Sequence, residues 1–65
     1  MNQAEIEAMI ADEIEHEENA LVGRLRANSI EAALDSYRRL RDLDSLADFV
    51  REPTIVAVIA SKEPH

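Results

Sequence analysis

The residues able to do chemistry are few, and most lie between residues 5 and 18. Glu13-Ile14-Glu15-His16-Glu17 places a glutamate and a histidine three residues apart, and His16 is the chain's only imidazole besides His65. On a helix that spacing puts the two side chains one turn apart on adjoining surface. Nucleophilic catalysis needs an activated Ser, Cys or Lys held by a base. Here there is no cysteine and one lysine, Lys62, and no triad assembles around His16. One glycine, Gly23, cannot build a loop that cradles phosphate. The expectation is a protein that is not an enzyme and takes no cofactor.

Charge placement says more. Residues 1–18 carry seven acids and neither Lys nor Arg, while residues 19–65 carry seven acids and seven bases. The formal charge of -7 therefore sits on the first segment, which repels phosphate and attracts a basic protein surface. Glu5, Glu7, Asp12, Glu15 and Glu18 are the candidate partner-binding residues on this reading. Arg38-Arg39-Leu40-Arg41 is the one basic cluster. Beside an acidic helix these arginines are expected in ion pairs, so direct nucleic-acid binding is not expected. The competing reading takes the later helices as a helix-turn-helix transcriptional regulator.

The stretch Ile10-Ala11-Asp12-Glu13-Ile14-Glu15-His16-Glu17 resembles the metal-ligand helix of ferritin-like di-iron proteins. That resemblance implies Glu13 and His16 as ligands, completed by acids of a facing helix such as Glu31 or Asp35. It stands as an alternative; the primary expectation is no bound metal. In size, acidity and organisation the chain is also similar to the small accessory proteins of bacteriophages and plasmids.

The elements that position these residues follow from apolar spacing. Ile6, Ile10, Ile14, Leu21 and Leu25 recur on one face of a helix expected from Ala4 to Arg26. Glu17 takes a position on that apolar stripe and is expected at its edge or paired with an arginine. Asn28 followed by Glu31 reads as a capping box opening a second helix, and the short connection predicts an antiparallel hairpin. Ile30, Ala33, Leu34, Tyr37 and Leu40 are expected on one face of that helix. The larger side chains then keep a spacing of three through Leu34, Tyr37, Leu40, Leu43, Leu46 and Phe49. No straight helix buries all of these on one side, so a break is expected at Asp42 to Ser45, with a short third helix capped by Asp44 or Ser45 and running to Arg51. Pro53 follows, and the Ile- and Val-rich run from Thr54 to Ala60 favours a strand over a helix.

With 65 residues, only Tyr37 and Phe49 as aromatics, and 10 alanines among its apolar residues, the chain has a thin core. Domains this small usually need a disulfide, a metal or a partner subunit. The expected fold is one mainly α domain over residues 1–65: a helical hairpin or small bundle with a short apolar C-terminal strand or helix, completed by homodimerisation. Leu46, Phe49, Ile55, Val56, Val58 and Ile59 are the candidate dimer interface. The tail at 61–65 is expected to fray. The apolar run Ile55 to Ala60 is far too short to span a bilayer, and no leader pattern is present. The expectation is a cytoplasmic accessory protein that acts by binding another protein as an adaptor, modulator or inhibitor.

Overall fold

The computed structural model describes residues 1–62. Three helices follow one another: α1 Gln3–Arg26, α2 Ile30–Phe49 and α3 Pro53–Lys62. The described residues are mainly helical and contain no strand.

Helix α1 begins where Asn2 folds its side chain back to accept the Glu5 amide at 2.8 Å. It ends in a Schellman turn. The Asn28 amide bonds the Leu25 carbonyl at 3.1 Å and the Ser29 amide bonds the Arg24 carbonyl at 2.9 Å. Asn28 adopts φ 58, the left-handed conformation that asparagine tolerates better than other side-chain-bearing residues. The capping box expected from Asn28 and Glu31 is therefore not formed. Asn28 closes the first helix, while Ser29 is the N-cap of α2 and makes no side-chain cap bond.

The tight connection returns α2 antiparallel along α1, as the hairpin expectation required. Gln3 Nε2 donates to the Val50 carbonyl at 2.8 Å at the open end, and Arg24 donates to the Ala32 carbonyl near the closed end. Alanines sit in the seam: Ala33 is buried, and Ala20, Ala32 and Ala47 are half-buried. Small side chains there let the two backbones approach closely.

Two other expectations need correction. Helix α2 runs without a break through Asp42–Ser45 and stops at Phe49, short of Arg51. No glycine or proline interrupts it, and Asp44 and Ser45 point to solvent, where they do not compete with the helical backbone. The run from Thr54 to Ala60 is helical within α3, and a strand does not form. Pro53 opens the helix with φ already suited to it. A lone strand would also lack the partner that satisfies its backbone groups, which a helix satisfies within itself. At the C-terminal tail, Ser61 and Lys62 belong to α3, and the Ser61 hydroxyl donates to the Val58 carbonyl at 2.8 Å. Residues 63–65 lie outside the described residues.

The molecule measures 48 × 18 × 12 Å. Two helices packed side by side share one seam and no deeper interior. Among the described residues, only Ile10, Ala33, Ser36 and Val50 are buried.

Candidate interaction surfaces

The seam carries an ionic cluster at its middle. Glu17, on the apolar stripe of α1, lies 3.8 Å from Arg24 of its own helix and 3.1 Å from Arg39 of α2. Arg24 Nη1 also donates to the hydroxyl of Ser36, which is fully buried. Of the two positions expected for Glu17, edge or ion pair, the pair is present, and its side chain is only 13% exposed. Hydrogen bonding from the Ser36 hydroxyl, reinforced by Arg39 and Arg24, outweighs desolvation and holds the Glu17 carboxyl below the ordinary carboxylate range. A second pair closes the open end, where Arg51 Nε donates to Glu7 at 2.7 Å. This bond outweighs desolvation to lower the Glu7 pKa, and it keeps Arg51 more firmly protonated. Gln3 Oε1 lies buried nearby without a hydrogen-bond partner among the described residues.

These pairs divide the acidic segment. Glu7, one of the five candidate partner-binding residues, is engaged by Arg51. Glu5, Asp12, Glu15 and Glu18 are exposed and, among the described residues, have no cationic partner. Arg38 pairs loosely with Asp35 at 3.9 Å, and the Arg41 guanidinium lies 5.9 Å from the centre of the Tyr37 ring. All three arginines of the basic cluster thus have an intramolecular neighbour. Glu13 and His16 are both exposed. No group of three or more His, Asp or Glu side chains among the described residues could hold a metal ion.

Apolar surface is the larger feature. Each three-residue step turns an α-helix back by about 60°, so the row from Leu34 to Phe49 winds across α2. Leu34 and Tyr37 emerge on one flank near the closed end, Leu40 and Leu43 enter the seam half-buried, Leu46 emerges on the other flank beside Leu43, and Phe49 is exposed at the end of α2. The single face expected from Ile30 to Leu40 is accordingly split: Ala33 is buried, while Ile30, Leu34 and Tyr37 face outward.

Leu21 and Leu25 of α1 meet Ile30, Ala33, Leu34 and Tyr37 of α2 in a groove of about 320 Å³ with entirely apolar walls. Ile30 is 64% exposed. On the other flank, Leu43 and Leu46 share a 290 Å³ hollow with Glu13, Glu17, Arg39 and Asp42. Of the expected dimer residues, Leu46, Phe49 and Val58 are exposed, whereas Ile55, Val56 and Ile59 are half-buried within their own chain. The closed-end groove was missed as a unit in the sequence. Its signal is the i, i+4, i+7 spacing of Ile30, Leu34 and Tyr37, hidden within the three-residue row.

No protein-family model matches the chain, and no curated protein or solved structure matches it. No described helix is long and apolar enough to cross a membrane.

Proposed function

We propose that this protein is a non-enzymatic accessory module of the cytoplasm. It works as a homodimer and engages a basic surface on another protein through the outer face of α1. The observation that supports this reading is the division of labour among its acids. Glu7 and Glu17 are consumed by intramolecular arginine pairs, whereas Glu5, Asp12, Glu15 and Glu18 stand on the solvent side with no such partner among the described residues. A cluster of unpaired like charges costs self-repulsion unless an opposite charge meets it. It also speeds encounter with a basic partner. The exposed apolar groove at the closed end supports the two-copy part of the reading, since contiguous apolar surface marks interaction sites.

The test is affinity capture from the source cell with the parent protein and with a variant carrying Glu5→Lys, Asp12→Lys, Glu15→Lys and Glu18→Lys. All four sites are exposed on α1 and lysine is a good helix former, so helicity by circular dichroism should be retained. The expected result is a basic partner held by the parent and lost by the variant. Equal retention by both proteins would remove the acidic-face reading.

A further inference from the structure

Resting on the two-copy reading above, we propose that the second copy docks in the closed-end groove, not on α3. Two hairpins join about a two-fold axis there. The Ile30–Leu34–Tyr37 ridge of each α2 seats against Leu21 and Leu25 of the other copy, and a four-helix bundle results.

The area of the chain supports a second copy as occupant. A compact monomer of 7.3 kDa exposes about 4,200 Å², but this chain exposes 4983 Å². The excess is about 800 Å², the amount each partner contributes to a protein–protein interface of standard size. The radius of gyration agrees: 14.8 Å against about 11 Å for a compact chain of this length. Pairing two thin layers face to face gives each the second layer that an ordinary domain has.

The choice of surface follows from its chemistry and spacing. Every wall of the closed-end groove is apolar, while the opposite hollow is bordered by Glu13, Asp42 and Arg39. Ile30, Leu34, Tyr37 and Arg41 follow the alternating four-three spacing that lets helices pack side by side along a seam. Arg41 lies against the Tyr37 ring at the end of that row. There its aliphatic stem can cover apolar surface while its charge stays in water. Helix α3 is the poorer candidate, because Ile55, Val56 and Ile59 have already lost part of their exposure within their own chain.

Tyr37 is the only tyrosine and the chain has no tryptophan, so the unaltered protein reports on the groove. Its fluorescence should be quenched by acrylamide several-fold less at concentrations where light scattering gives twice the chain mass than after dilution to monomer. Leu34→Glu should weaken dimerisation by at least ~100-fold, because each dimer would bury two uncompensated carboxylates. Phe49→Glu should leave it within a few-fold of the parent. Far-ultraviolet circular dichroism on both variants separates dissociation from unfolding. A parent that stays monomeric at millimolar concentration overturns the two-copy reading and the groove together. A dimer in which Tyr37 remains as open to acrylamide as in the monomer, or one dissociated by Phe49→Glu but not by Leu34→Glu, overturns the groove alone.

Discussion

At the scale of single residues, the seam is held in register by a carboxylate that looks misplaced in an apolar stripe. Glu17 meets Arg39 across the seam and Arg24 along its own helix, with the buried Ser36 hydroxyl between them. A charge at such a position specifies alignment, since sliding α2 by one turn would strand it. Because the folded protein holds the Glu17 carboxyl below its ordinary range, the ionised form favours folding. That contribution is complete above the unfolded value of about 4.3 and disappears as pH falls through the lower folded value. Glu17→Gln is therefore expected to lower the urea midpoint at pH 7. The gap to the parent should narrow below about pH 4. Urea melts of both proteins between pH 7 and pH 3 check this, and a gap unchanged across that range would mean that Glu17 acts through shape and not through charge. The sequence left Glu17 either at the edge of the stripe or paired with an arginine, and the structure has the pair. The buried hydroxyl was not legible, because Ser36 carries no pattern that separates it from a surface serine.

At the scale of elements, the continuous α2 carries the most consequence. A break near Asp42–Ser45 would have turned Leu46 and Phe49 back toward the seam. The unbroken helix leaves both exposed, with Leu46 in the hollow on the other flank from Leu34 and Tyr37. Proline at residue 45 separates the two arrangements. Were Asp44 a cap, Ser45 would occupy the first helical position, where proline is tolerated. Inside a continuous helix it removes a backbone bond and clashes with the preceding turn, at a cost of about 3 kcal/mol. Ser45→Pro is expected to show that loss in chemical denaturation, together with reduced helicity. Stability equal to the parent would place a helix start there after all. Helix α3 illustrates the converse error, in which Ile and Val composition pointed to a strand. Those propensities describe a pleated surface with neighbours, and no neighbouring strand exists among the described residues.

At the scale of the whole molecule, two forces act with opposite dependence on salt. Two chains of formal charge -7 repel each other, so added salt should strengthen the proposed dimer by screening that repulsion. Capture of a basic partner by Glu5, Asp12, Glu15 and Glu18 should weaken over the same range. Raising salt from about 0.05 to 0.5 M shortens the screening length roughly three-fold. Sedimentation and partner-binding titrations over that interval should therefore move in opposite directions. A dimer that dissociates with salt would point to an interface held by ion pairs instead of the apolar groove.

Sequence by itself determined a great deal of the local structure: the extent of α1, the antiparallel hairpin and the acidic segment. Each follows from spacing within a few turns or from charge counts, which tertiary contacts do not rearrange. Only the tertiary structure decided which apolar residues are left over. Periodicity identifies a face that must be covered, but a two-helix hairpin has one seam, and the direction of that seam determined that Ala33 is covered while Ile30, Leu34 and Tyr37 are not. The same contacts divided the acids into Glu7 and Glu17, which hold the hairpin together, and exposed acids that have no cationic partner among the described residues. That division depends on how far apart groups from two helices come to lie, and neither helix carries that information alone.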